Sequence, residues 1–144
     1  MHQFRFFFYI KTDGHICGFF YCFFKLICFK HRCSNTVVAF RSSIIKNGLE
    51  SSGGISIYAG INILVESNQI EEFKSTSSSG IYLQSDLQNF TIRNNLIQNN
   101  WWGIRGWSAI NGTIFNNTIL NSTQYGIYFE SSGIQNSTIT NNTI

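Results

Sequence analysis

Most of this 144-residue chain lacks histidine, cysteine and methionine, which occur only near its N-terminus. All three histidines, all four cysteines and the sole methionine lie in residues 1–33. From Ser34 onwards there is no imidazole or sulfur side chain, which excludes metal sites built on those ligands from that part. A catalytic mechanism that depends on histidine is excluded there for the same reason.

Charge is scarce and unevenly divided. Residues 1–46 carry seven Lys or Arg and one acid, a net charge of +6, whereas residues 47–144 carry three Lys or Arg and six acids, a net charge of −3. The two sum to the +3 of the whole chain. Because the later part is net acidic, we expect it not to bind nucleic acid.

The chain contains instead a sequence motif that occurs four times. Gly-Ile pairs begin at Gly54, Gly80, Gly103 and Gly126, at intervals of 26, 23 and 23 residues. A polar pair followed two places later by isoleucine closes each unit, at residues 67–70, 94–97, 116–119 and 141–144. A fixed period in the twenties indicates stacked supersecondary units rather than one globular core.

Within each unit the pattern predicts short β-strands. Isoleucines alternate with polar or aromatic residues, so that one face is apolar, and no 3.6-residue helical stripe survives. A unit of about 25 residues has the length of one turn of a parallel β-helix, with successive turns about 4.8 Å apart. The predicted fold is all-β: a right-handed, single-stranded parallel β-helix of about four to five coils over residues 34–144.

The second residue of each closing polar pair forms a candidate ladder. Asparagine tolerates the left-handed backbone of a sharp turn, and its amide can bond to the same amide one coil away. We predict a structural ladder of Asn68, Asn95, Asn117 and Asn142. The alternative is a set of ordinary turn asparagines.

Gly-Ile-Tyr-Leu at residues 80–83, followed by Thr-Ile-Arg-Asn-Asn-Leu-Ile at residues 91–97, resembles the repeat of the pectate-lyase-like superfamily. The nearest type is the right-handed β-helix domain of surface, carbohydrate-active and copper-accessory periplasmic proteins. The resemblance covers residues 34–144 and implies an extracellular, cell-surface or periplasmic protein. It does not imply one activity, because the fold hosts lyases, hydrolases, epimerases, adhesins and inert stalks.

Enzymes of that superfamily act on acidic polysaccharides through clustered aspartates with a basic residue, or through an aspartate trio with a histidine. Here the acids are scattered: when the repeats are aligned, Glu130 matches Trp107 and Gln84, so no second carboxylate stacks beside it. We therefore predict no catalytic residue, no metal and no cofactor within this chain. The alternative function is a fragment of a polysaccharide lyase or glycoside hydrolase whose catalytic coils lie outside it.

Aromatic residues supply a candidate binding surface for polysaccharide. The residue two places after the repeat glycine should point outward, because the intervening isoleucine points inward, and it is aromatic or arginine in three of four units. Such residues would stack one coil apart as an aromatic–guanidinium ladder. The predicted site consists of Tyr82, Trp101, Trp102, Arg105, Trp107 and Tyr128, with Tyr125 close by. The alternative is that the rings only stabilise neighbouring coils.

Residues 1–33 form a hydrophobic leader rich in cysteine and phenylalanine. Three interpretations stay open: a signal or membrane anchor, a cap on the first coil, or an artefact of a misassigned start. The apolar run at residues 16–29 is shorter than the ~20 residues of a membrane span. Association with a membrane is expected only if the leader is a real anchor.

Two further expectations concern the ends and the surface of the repeats. The sequence stops at Ile144, two residues after a polar pair, which predicts neighbouring β-helix coils in a longer chain. Six Asn-x-Ser/Thr triplets are compatible with export; they begin at Asn89, Asn111, Asn116, Asn121, Asn136 and Asn141.

Overall fold

A computed structural model describes residues 9–11, 37–46, 53–58, 60–84 and 87–144. These residues form strands β1 Tyr9–Lys11, β2 Val37–Arg41, β3 Ile44–Lys46, β4 Gly53–Ile57, β5 Gly60–Glu66, β6 Gln69–Glu71, β7 Ser79–Leu83, β8 Leu87–Arg93, β9 Leu96–Gln98, β10 Trp102–Ile110, β11 Thr113–Phe115, β12 Thr118–Leu120, β13 Tyr125–Gln135 and β14 Thr138–Thr140. The described part of the chain contains no helix, and hence none long and apolar enough to cross a membrane.

The strands stack into three faces. Face 1 consists of β4, β7 and the first halves of β10 and β13. Face 2 consists of β2, β5, β8, β11 and β14, and face 3 of β3, β6, β9 and β12. Every pairing within these faces is parallel, whereas β1 pairs with β2 in the antiparallel sense.

The chain visits the three faces in a fixed order, which makes it a parallel β-helix. On face 1, Gly53 aligns with Ser79, Ser79 with Trp102, and Trp102 with Tyr125. These positions mark three complete turns of 26, 23 and 23 residues, taken as differences between 53, 79, 102 and 125. Face 2 is five strands deep. The predicted all-β solenoid is confirmed.

The interior is filled by columns of aliphatic side chains, one from each face. These side chains are fully buried, and they include Ile55, Ile81 and Ile104 on face 1, Val65, Ile92 and Ile114 on face 2, and Ile70, Ile97 and Ile119 on face 3. Each buried isoleucine stabilises the fold by about 1.5–3 kcal/mol relative to exposure. Because the same side chains recur at every level, hydrophobic burial fixes the register of the stack.

The repeat glycines are required where face 3 approaches face 1. A Cβ added at Gly54, Gly80 or Gly103 would lie 2.5–2.6 Å from the Cγ2 atom of the isoleucine that closes the same unit. It would also lie 2.4–2.8 Å from the carbonyl oxygen of the repeat glycine one coil above. The opening glycine of each unit therefore packs against the closing isoleucine of the same unit.

The corners of the β-helix use left-handed residues, arranged in three columns. The first column lies at the entry to face 2 and contains Asn62, Asn89, Asn111 and Asn136. The second separates faces 2 and 3 and contains Ser42, Ser67, Asn94, Asn116 and Asn141; the third follows face 3 and contains Glu72, Asn99 and Asn121. Asparagine predominates because it tolerates positive φ better than other side chains.

The predicted division into a leader of residues 1–33 and repeats of residues 34–144 is only partly visible. Apart from strand β1, the leader lies outside the described residues, and so do the cysteines and histidines on which a metal cluster or disulfide would depend. The three interpretations of the leader stay predictions.

Candidate functional site

The second corner contains a continuous ladder of buried amides. Asn68 donates a hydrogen bond from its side-chain nitrogen Nδ2 to Oδ1 of Asn95 at 3.0 Å, and Asn95 donates in the same way to Asn117 at 2.9 Å. Asn117 donates to Asn142, also at 2.9 Å. The backbone N–H of each of these three donors bonds to the same Oδ1 atom.

The ladder amides also donate hydrogen bonds to backbone carbonyl groups at the corner. Asn95 donates from Nδ2 to the carbonyl oxygens of Val65 and Arg93, both at 3.0 Å. Asn117 makes the equivalent pair of bonds to Ile92 and Phe115. Buried backbone groups left without such partners would cost about 1–3 kcal/mol each. The ladder therefore has a structural role.

In each polar pair, one residue takes the left-handed backbone conformation and the other forms the ladder hydrogen bonds. The first residue of the pair, such as Asn94 with φ of 55°, takes the left-handed conformation and stays exposed. The second residue, such as Asn95, is buried and forms the ladder. This division explains why serine replaces asparagine at the first place in Ser67, where no ladder amide is required.

The outer side of face 1 carries aromatic side chains and one arginine. In register, Ser56 aligns with Tyr82, Tyr82 with Arg105, and Arg105 with Tyr128. Ser56 is buried, so the surface column begins at Tyr82. The ring of Tyr58, directly after β4, lies edge-on to that of Tyr82, with centroids 6.5 Å apart. We call the outer set consisting of Tyr58, Tyr82, Trp102, Arg105, Tyr125 and Tyr128 the face 1 strip.

Arg105 is the centre of the face 1 strip. Its guanidinium carbon lies 3.8 Å from the ring centroid of Trp102 and 5.5 Å from that of Tyr82. The guanidinium also forms an ion pair with Glu130, through both Nε and Nη2. Both side chains are mostly buried, with exposed fractions of 17% and 22%. The arginine is therefore held by one carboxylate and two rings.

A stack of three rings continues the strip. The ring centroids of Trp102 and Tyr128 are 6.2 Å apart with planes at 18°, and those of Tyr128 and Tyr125 are 5.0 Å apart at 16°. Among the described residues, Tyr125 stacks with Tyr128 alone and is 53% exposed. The stack thus ends on a tyrosine with free surface.

Tyr125 is the residue that the predicted site omits. The sequence pattern predicts it close to the site but not in it, although it aligns with Trp102 across one coil. The signal that identifies it is the position directly before the repeat glycine, which is aromatic in both of the last two units.

Two of the predicted site residues lie beside the strip. Trp101 is half-buried at the bend before β10, where its backbone N–H bonds to the carbonyl oxygen of Phe73. Trp107 is 41% exposed and lies at the irregularity between Gly106 and Ser108, where the register of β10 against β13 shifts. No ring contact joins either tryptophan to the strip within the described ranges.

The model of the right-handed β-helix region family matches residues 27–144, which is most of the chain. The chain belongs to this family. A right-handed path is also the ordinary sense of a crossover between parallel strands. No curated protein and no solved structure matches the chain.

All four glutamate side chains in the described part of this right-handed β-helix are ion-paired. Glu66 lies between Arg41 at 3.2 Å and Arg93 at 2.6 Å in one column of face 2. The remaining pairs are Lys46 with Glu71, Lys74 with Glu72, and Arg105 with Glu130. Bonds from Lys46, and then from Gln98, lower the pKa of Glu71; bonds from Lys74 lower the pKa of Glu72. The lowered pKa values favour the ionised form of Glu71 and Glu72.

Other chemistry in the described residues is limited. They contain no group of three or more His, Cys, Asp or Glu side chains that could hold a metal ion. Partial burial raises the pKa of Tyr82, so its phenol stays neutral at ordinary pH. The other two acids of residues 47–144, Glu50 and Asp86, lie outside the described residues.

Proposed function

We propose that this right-handed β-helix protein is a non-catalytic scaffold, secreted or at a cell surface, that binds polysaccharide on the face 1 strip. One observation carries the proposal: the Trp102–Tyr128–Tyr125 stack ends on a ring that is half exposed. A flat apolar surface can become the next member of that stack. The carbon face of a sugar ring has that shape and polarity.

The composition of the strip supports sugar as the ligand. Tyrosine combines a flat apolar ring with a hydroxyl that can donate or accept a hydrogen bond. Tyr125 and Tyr128 are 53% and 36% exposed and lie on the same strand, so they present rings and hydroxyls together. A sugar offers matching C–H faces and hydroxyl groups.

The electrostatics of the strip favour a neutral polysaccharide. Acid-binding sites need cations whose charge is available to the ligand, and the described cation of this strip, Arg105, is already neutralised by Glu130. Its guanidinium also makes cation–π contacts with Trp102 and Tyr82. In this respect the strip departs from the acidic-polysaccharide specificity implied by the pectate-lyase-like resemblance.

Ion pairing supports the non-catalytic part of the proposal. A general acid needs a raised pKa, whereas Glu71 and Glu72 have lowered ones. Glu130, the carboxylate beside the strip, is tied to Arg105 by two contacts. Glu71 and Glu72 are therefore not poised to donate a proton to a bound sugar.

Native affinity electrophoresis through gels that contain a soluble neutral β-glucan, or polygalacturonate as the acidic comparison, tests the proposal. We expect the neutral gel to retard the protein and Tyr125→Ala to weaken that retardation at least tenfold, which is about 1.4 kcal/mol of binding. Trp107→Ala is the matched control, because it removes an exposed ring that lies off the strip.

Two results would overturn the proposal. One is equal mobility of the unaltered protein with and without neutral polysaccharide. The other is retardation that Tyr125→Ala leaves intact while Trp107→Ala abolishes it, which would place binding outside the strip. Stronger retardation by polygalacturonate than by the neutral gel would contradict the inferred ligand charge.

A further inference from the structure

Every Asn-x-Ser/Thr triplet of the chain begins at an exposed, left-handed corner residue. The six asparagines have φ between 48° and 55° and are all exposed; they are Asn89, Asn111, Asn116, Asn121, Asn136 and Asn141. None of the buried ladder asparagines begins such a triplet. The acceptor triplets are therefore confined to residues whose side chains project from the β-helix.

The third residue of each triplet also lies at the surface. Thr113, Thr118 and Thr138 are the first residues of β11, β12 and β14, and each is partly or fully exposed. Their side chains alternate with the inward isoleucine that follows, as the pleat of a strand requires. The amide and the hydroxyl of each triplet are thus both accessible from solvent.

The acceptor amides are also chemically available. Asn111, Asn116, Asn136 and Asn141 make no side-chain hydrogen bond to the described residues. Asn89 donates one N–H to Asn62 at 3.3 Å, and Asn121 donates one to Asn99 at 3.2 Å. Since a primary amide has two N–H groups, each of these two can keep its bond after one hydrogen is replaced.

We propose that these corner asparagines are attachment sites for N-linked glycans. The asparagine Nδ2 atom forms a bond to the anomeric carbon of a lipid-pyrophosphate-linked oligosaccharide. The bond between that carbon and the pyrophosphate oxygen breaks, the lipid pyrophosphate leaves, and the amide loses one proton. The inference rests on the exported location included in the proposed function.

Stacking limits how many corners carry a glycan. Asn111 is flanked by Asn89 and Asn136, because Ile110 aligns with both Gln88 and Gln135. Neighbouring levels of a sheet lie only about 4.8 Å apart, which is too close for two branched sugars side by side. Asn116 and Asn141 are neighbours in the same way. At most four of the six sites are therefore occupied together: Asn89, Asn136, Asn121 and one of Asn116 and Asn141.

The proposal is tested on the full chain purified from the cells that produce it. Treatment with peptide-N-glycosidase in ¹⁸O-water converts each occupied asparagine to labelled aspartate, which peptide mass spectrometry locates. We expect label at one or more corner asparagines, with Asn111 unlabelled whenever Asn89 or Asn136 is labelled. Thr138→Val should remove the label at Asn136, whereas Thr138→Ser should keep it, because serine preserves the triplet.

Unmodified asparagine at all six positions overturns the inference. So does a label at Asn136 that survives in Thr138→Val, since the modification would then not follow the triplet. Polysaccharide retention by the same preparation after glycan removal is measured separately. Retention without any label would leave the role of the strip standing while the glycan proposal fails, so the two are distinguishable.

Discussion

The amide ladder and the face 1 strip are both vertical columns, but they repeat differently. The ladder uses asparagine at four successive levels, at positions 68, 95, 117 and 142, joined by the same hydrogen bonds each time. The strip changes at each level, from Tyr82 to Arg105 and Tyr128. Columns that close the backbone are restricted to one residue type, whereas outer columns are free to vary and can carry specificity.

The largest expected effect is a loss of folding stability when the second residue of a polar pair is replaced, compared with replacement of the first. Asn95→Ala removes the amide that bonds to Val65, Arg93 and both ladder neighbours, and leaves several buried polar groups without partners. We expect a loss of about 3–5 kcal/mol in the free energy of unfolding. Urea denaturation followed by circular dichroism measures it.

Asn94→Gly is the control for that variant. Asn94 is exposed at φ of 55°, a conformation that glycine adopts without strain, so we expect a change within about 0.5 kcal/mol. If the two variants unfold at the same urea concentration, the ladder does not stabilise the corner as described.

A second contrast concerns two glycines. Gly103→Ala brings a Cβ within 2.4 Å of the carbonyl oxygen of Gly126 and 2.5 Å of Ile119, which forces adjacent coils apart. We expect a cost of about 3 kcal/mol. At Gly133 the same substitution meets no atom within 4 Å, and only its φ of 64° opposes it, at a cost of about 1 kcal/mol. Thermal unfolding of both variants would contradict this order if Gly133→Ala were the less stable.

A smaller effect is expected within the strip. Arg105→Met keeps an apolar stem over the rings but loses the ion pair with Glu130 and the cation–π contacts with Trp102 and Tyr82. We expect a loss of about 1 kcal/mol. Arg105→Lys, which keeps the charge without the flat guanidinium, should fall between this variant and the unaltered protein. If Arg105→Met lost as much free energy of unfolding as Asn95→Ala, the strip would be a structural column.

The smallest effect depends on pH. Lys46 and Gln98 lower the folded-state pKa of Glu71 below its ordinary value of 4.5. The ionised carboxylate therefore contributes stability that is fully present above about pH 4.5 and is lost as the pH falls through the lowered folded pKa. The difference in melting temperature between the protein and Glu71→Gln should shrink from pH 7 to pH 3. A difference that stays constant would show that this carboxylate is not stabilised by ionisation.

The fold was predictable from the sequence because its interior repeats. The Gly-Ile pairs and the closing isoleucines recur at the period of one turn, since Gly54, Gly80 and Gly103 each contact the isoleucine that ends their own unit. No comparable rule governs the outer face, where a side chain needs only to fit its neighbours. Alternation placed Tyr82, Arg105 and Tyr128 in one column, but it did not include Tyr125 in the site.

The contacts of long side chains could not be predicted from the sequence. Arg105 can reach several partners, and its position between Trp102, Tyr82 and Glu130 depends on ring orientations and on a carboxylate 25 positions away. Trp107 follows Arg105 by two residues, and the sequence predicts it on the same surface. Strand β10 leaves β7 after Gly106 and joins β8 at Ala109, so Trp107 lies at the corner between faces 1 and 2, beside the strip.

The central claim is that inner columns carry the fold while the face 1 strip carries binding. A doubly substituted protein, Tyr125→Ala with Tyr128→Ala, tests it most directly when unfolding and retardation by neutral β-glucan are measured on the same preparation. We predict a free energy of unfolding within about 1 kcal/mol of the unaltered protein, since neither side chain belongs to the buried core, and complete loss of retardation. Retardation that persists in a folded double variant, or loss of the fold itself, would contradict the claim.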